Sequence, residues 1–107
     1  MSKFRTGDMY VSAAFRTGGM YVSAAVNHRN EVDGDFKLWI LSSAIPRYLR
    51  CDWSDMSEED QEANNEAVMS GDARIFASYV YPKDNTTVWI ITEADRSATT
   101  ILFPEDY

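Results

Sequence analysis

The chain has one cysteine, one histidine and three prolines in 107 residues. Cys51 on its own cannot close an internal disulfide, so a reducing compartment is expected. One histidine and one thiol do not make a closed zinc site, and no metal or other cofactor is expected. His28, set between Asn27 and Arg29 in a polar stretch, reads as a solvated side chain rather than the base of a Ser-His-Asp or Cys-His device. Cations are also scarce: Lys and Arg total 10 against 17 Asp and Glu, a formal net charge of −7. Such a surface repels nucleic-acid phosphates and anionic membranes and is drawn to basic protein surfaces. No apolar run approaches the roughly twenty residues that a membrane span requires. Met1-Ser2-Lys3-Phe4 leads into polar residues rather than an apolar signal core, so the cytoplasm is the expected location. Gly7 and Gly18-Gly19 are not followed by Gly-Lys-Ser/Thr and are turn glycines, not a phosphate-binding loop.

Apolar material is plentiful by contrast. Hydrophobic residues make up 45% and aromatics 13% of the chain, enough for one packed core and one domain spanning residues 1–107. The N-terminal region is a tandem repeat. Phe4-Arg5-Thr6-Gly7-Asp8-Met9-Tyr10-Val11-Ser12-Ala13-Ala14 is followed at once by Phe15-Arg16-Thr17-Gly18-Gly19-Met20-Tyr21-Val22-Ser23-Ala24-Ala25, with only Asp8 against Gly19 differing. Each copy carries a strand signal, Met9 to Ala14 and Met20 to Val26. The glycines between them suit either a hairpin or an arrangement with one copy in the sheet and the other displaced. A displaced copy is free to pair with a second molecule, so a homo-oligomer is one expected outcome.

Val26 to Gly34 reads as a polar connector with room for a helical turn. Asp35 can cap a helix running to about Arg50, with Phe36, Trp39, Ile40, Ile45 and Leu49 as its apolar stripe. Pro46 predicts a kink or break near Ala44 and Ile45. After a turn over residues 51–56, Ser57 caps a second helix that Gly71 ends. It buries Ala63, Ala67 and Val68. Strands follow at 74–81, 86–92 and 98–103, separated by turns at 82–85 and 93–97. The expected fold is α+β: a small antiparallel sheet of four to five strands with two helices on one face, in the order β(β)-α-α-β-β-β.

Three stretches carry a family resemblance: Phe4 to Asp8; Arg50-Cys51-Asp52-Trp53-Ser54-Asp55 with Glu58-Glu59-Asp60; and Trp89 to Ser97 with Thr100 and Leu102 to Tyr107. On these the chain resembles a family of small bacterial proteins carried on plasmids and integrative elements. Members often have Gly-Asp-Trp-Gly where this chain has Cys51-Asp52-Trp53-Ser54, and they usually carry the first stretch once. The resemblance implies a mobile-element setting and no mechanism.

The functional expectation rests on charge. Asp52, Asp55, Glu58, Glu59, Asp60, Glu62, Glu66 and Asp72 fall between Cys51 and Ala73 without one Lys or Arg. Glu58, Glu62 and Glu66 recur every four residues, which places them on one helical face. Asp52, Asp55, Glu58, Glu59, Glu62 and Glu66 are therefore the expected partner-binding residues. Such a ridge can imitate a phosphate backbone in a basic cleft. This favours a non-enzymatic inhibitor of a nucleic-acid-binding defence effector, of the anti-CRISPR or anti-restriction kind. A self-associating structural domain using the repeated strand is the alternative. A small enzyme would need Asp52, Glu93, Asp95 and Arg96 to converge.

Overall fold

The computed structural model describes residues 14–107, together with the backbone of residues 3–6 and 9–12. Strands β1 (Lys3–Thr6) and β2 (Met9–Ser12) form an antiparallel pair of their own. The main sheet contains β3 (Gly19–Val22), β4 (Ile75–Tyr81), β5 (Thr86–Thr92) and β6 (Ala98–Leu102) in the order β3-β6-β5-β4. The repeat thus resolves as one copy in the sheet and the other outside it. The expected α+β class holds and the element order roughly matches, with one helix more than expected, but the sheet is mixed: β3 runs parallel to β6, and the other pairings are antiparallel. A parallel neighbour requires a long connection, and the helices and two more strands lie between β3 and β6.

Helix α1 (Ala24–Val32) occupies what reads as a connector. The second copy stops being strand at Ser23, whose side chain accepts the Val26 amide at 3.2 Å and starts the helix. Val26 is fully buried and secures α1 to the core. Asp33, not Asp35, then caps α2 (Gly34–Trp39) by accepting the Phe36 amide. No break appears before Pro46. The helix widens instead into a π-helical turn over Ile40–Ala44, in which the Ile45 amide bonds the Ile40 carbonyl, and continues as α3 (Ile45–Leu49). The wider turn relieves the clash a proline ring makes with the turn before it. The predicted stripe is buried, with Ala44 and Tyr48 added to it and Trp39 partly covered.

Alternation along β4 sends Ile75, Ala77, Tyr79 and Tyr81 to the face that α1–α3 cover. Val88, Ile90, Thr92, Thr99 and Ile101 share that face by register. Phe36 meets Tyr81 edge-on at 5.3 Å between ring centres, and Phe15, at the start of the second copy, meets Tyr48 edge-on at 5.4 Å.

Four polar groups cross this core in a chain. The Tyr48 hydroxyl lies 2.7 Å from that of Thr92, Thr92 lies 2.7 Å from Thr99, and Thr99 donates to the Thr17 carbonyl at 2.7 Å. Each hydroxyl has one hydrogen and a carbonyl only accepts. The direction is therefore fixed: Tyr48 to Thr92 to Thr99 to the Thr17 carbonyl.

Candidate partner-binding surface

Helix α4 (Glu58–Ser70) begins at Ser57, which accepts the Asp60 amide at 3.2 Å, and ends at Gly71 with φ of 75°. Three acidic residues fill its first turn, where the amide ends favour negative charge. Its buried positions are Asn64 and Ala67, with Val68 half-buried; Ala63, expected inside, is exposed. Asn64 docks the helix. Its amide group donates to the Phe76 carbonyl at 2.7 Å, and its side-chain oxygen accepts the Phe76 amide at 3.2 Å. A side-chain amide thus satisfies both outward backbone groups of Phe76 on the β4 edge, as a neighbouring strand would there. At the other end, Arg96 donates to the carbonyls of Ala67 at 2.8 Å and Ala73 at 2.7 Å, fastening the last turn of α4 to the 93–97 turn.

With Asn64 and Ala67 inward, the 3.6-residue repeat turns Glu58, Glu62 and Glu66 outward, and Glu59 flanks them. All four are exposed. Among the described residues no ion pair includes any of them. A helix rises about 1.5 Å per residue, so these charges stand about 6 Å apart. One strand of duplex DNA presents a phosphate about every 3.4 Å along the axis, nearly twice that density. Like charges at this spacing disfavour an isolated helix by about 0.2–0.5 kcal/mol per pair.

Asp52 and Asp55 behave differently. Arg47 reaches Asp52 at 3.1 Å and Asp55 at 3.0 Å, and its guanidinium lies 5.1 Å from the centre of the Tyr79 ring. Arg47 and the Ser54 hydroxyl, which bonds the same carboxylate at 2.9 Å, hold Asp52 below the usual carboxylate range. These two positions, expected to face a partner, share one guanidinium from α3, and the Asp55 side chain is 73% exposed. The cation-free run in sequence has a cation beside it in space. Trp53 is buried between them, its indole N–H donating to Asn65 at 3.1 Å.

The residues an enzyme would need are not brought together. Asp52 sits level with Tyr79, whose hydroxyl donates to the Asp52 carbonyl at 3.0 Å. Glu93 to Arg96 lie beyond the Ile75–Thr92 pair, at the far end of the same two strands. The Ser97 hydroxyl, then the Ser97 amide at 3.0 Å, holds the Asp95 carboxyl low, and Arg96 is taken up by carbonyls. His28 is exposed on α1, and burial pushes the Cys51 thiol up. Among the described residues no group of three or more His, Cys, Asp or Glu side chains is placed to hold a metal, and no helix is long and apolar enough to cross a membrane. An apolar groove of about 180 Å³ opens elsewhere, between β3 and the α1–α2 arm, lined by Met20, Val22, Asn30, Ile40 and Leu41.

Sequence reasoning did not find Asn64 or the Tyr48–Thr92–Thr99 chain. An asparagine facing the apolar side of an amphipathic helix is the signal that marks the first. Paired threonines on the buried face of adjacent strands mark the second. In comparison with known proteins, no family model, no curated protein and no solved structure matches the chain.

Proposed function

We propose that the chain is a non-enzymatic interaction protein that presents the Glu58–Glu62–Glu66 stripe, with Glu59, to a basic protein surface. The supporting observation is the contrast within one acidic tract. Asp52 and Asp55 are matched by Arg47, whereas the stripe on α4 has no cation among the described residues. An unmatched single-sign ridge on a docked helix attracts a cationic cleft at long range. The basic cleft of a nucleic-acid-binding defence effector has the required charge, and the mobile-element setting implied by the sequence resemblance agrees with such a target. Asp52 and Asp55 shape the turn before the helix and take no part in binding.

The test is capture of purified basic defence effectors by the immobilised chain, with the Glu58→Lys/Glu62→Lys/Glu66→Lys variant as control. Charge reversal should abolish capture, and salt well above physiological strength should weaken the native interaction steeply. Capture that survives charge reversal would reject the stripe as the binding element.

A second reading is self-association through β3. Tyr21 and Val22 are 59% and 40% exposed on a strand at the edge of the sheet. Sedimentation showing a concentration-dependent dimer that Val22→Lys abolishes would favour it.

A further inference from the structure

The repeat poses a question of occupancy: the sheet has one seat beside β6, and the chain carries two segments written for it. The seat is demanding. Phe15 fills a core position against Tyr48, and the Thr17 carbonyl ends the hydroxyl chain from Tyr48. The Gly19 amide bonds the Ser97 carbonyl at 3.2 Å, and the Ser23 amide bonds the Ile101 carbonyl at 2.9 Å. Gly18 is obligatory: its φ is +63°, and a Cβ there would collide with the backbone carbonyl of Ser97.

The first copy supplies every one of these features. Phe4, Thr6, Gly7 and Ser12 stand where the second copy has Phe15, Thr17, Gly18 and Ser23, and Met9-Tyr10-Val11 repeats Met20-Tyr21-Val22. The single difference falls at a tolerant point. A Cβ at Gly19 would meet the Tyr21 hydroxyl at 2.6 Å and ring carbons at 2.9 Å. That ring belongs to a side chain 59% exposed, which can turn aside. Asp8 therefore costs the first copy a rotamer change, not the seat.

We infer that the seat beside β6 accepts either copy of the repeat, and that the two copies of one chain exchange in it. The second copy holds it in the ground state because it leads directly into α1. Seating the first copy throws residues 13–23 out as a loop before α1, and the entropy of closing such a loop grows only with the logarithm of its length. Whichever copy is out leaves the main sheet with its strand-forming residues; the first, when out, pairs within itself as β1 and β2. A partner that captures one copy leaves the core intact, because the other fills its place.

The exchange is tested in the full-length chain by Gly18→Val, Gly7→Val and the double variant. Gly18→Val bars the second copy, so the first should take the seat and the fold should survive. The double variant bars both, and its melting midpoint should fall below that of Gly18→Val by about 10 °C more than Gly7→Val alone lowers the native chain. Strictly additive midpoints, or a Gly18→Val chain that does not fold, would overturn the inference. Seat occupancy is read directly by cysteine pairs in a Cys51→Ser background. Tyr21 lies opposite Thr100 in the parallel register, so Tyr21→Cys/Thr100→Cys should oxidise to an intramolecular disulfide in the native chain. Under Gly18→Val that yield should collapse, and Tyr10→Cys/Thr100→Cys should cross-link within one chain instead. A 10–100 disulfide that never forms, or that forms only between chains, refutes exchange within the molecule.

Discussion

At the β4 edge the outward amide and carbonyl of Phe76 are both taken by Asn64, and Arg96 fastens the end of the same helix. At the β3 edge no strand among the described residues pairs on the outer side, and Tyr21 and Val22 stand exposed. What binds β3 to the domain lies on its inner side: the ladder to β6, the two flanking backbone bonds, and the hydroxyl chain ending at Thr17. Where a side chain already satisfies the outward groups, as Asn64 does at Phe76, a further strand finds no partner at that point; a bare edge offers one. The two flanks therefore differ: β4 is capped at Phe76 by a helix side chain, and no described strand or side chain caps the outer side of β3.

The sharpest way to break this contrast is Asn64→Ala, which strips the seal from β4. Two backbone groups of Phe76 lose their partners, and unfolding in urea should show a loss of about 2–3 kcal/mol. The bared edge should also raise the tendency to associate, measured by light scattering. Thr92→Val attacks the other flank while keeping side-chain shape. It leaves the Tyr48 donor and a Thr99 acceptor unmet and should cost about 1–2 kcal/mol; adding Tyr48→Phe should recover part of the loss, because an apolar pair needs no hydrogen bond. Amide exchange should accelerate more over Met20–Val22 than over Ile75–Tyr81.

A smaller effect is expected where α1 meets the β4–β5 turn. The Thr86 hydroxyl, then the Arg29 guanidinium at 2.8 Å, holds the Asp84 carboxyl down to about 2. A carboxyl lowered in the fold contributes stability that is complete above its unfolded value, near about 4, and is lost as pH falls toward the folded value. The melting midpoint of the native chain should exceed that of Asp84→Asn at pH 6, and the gap should close between pH 4 and 2. The smallest effect is expected for Glu58→Gln/Glu62→Gln/Glu66→Gln. Relief of like-charge repulsion and loss of Glu58 from the favourable first turn oppose one another, so thermal unfolding should show a change of no more than about 0.5 kcal/mol.

The parts that were legible in the sequence are those fixed locally. Ser57 and Gly71 bound α4, and Pro82-Lys83-Asp84-Asn85 and Glu93 to Ser97 separate three strands, of which the first alternates as read and the second, a β-branched and aromatic run, lies inside the sheet. The outward stripe on α4 follows from spacing alone. What was not legible depends on distant partners. Nothing near β3 shows that its neighbour is β6, reached after the helices and two further strands. Residues 24–32 lack a strong apolar period, and their helix is settled by Ser23 at its start and by one buried valine. The ion pairs that set Asp52 and Asp55 apart from the α4 stripe come from Arg47, on the helix preceding their turn. The two copies make the same point most directly: near-identical segments take different places because only one seat exists.

The hydroxyl chain has a consequence for observation. Protons on Thr92 and Thr99, fully buried and each donated in one fixed direction, are shielded from the water that normally erases hydroxyl signals. They should give resolved resonances that persist while the chain stays whole. Since the final acceptor is a main-chain oxygen that both repeats possess, those signals would report that the groove beside the last strand is filled while remaining blind to which repeat fills it.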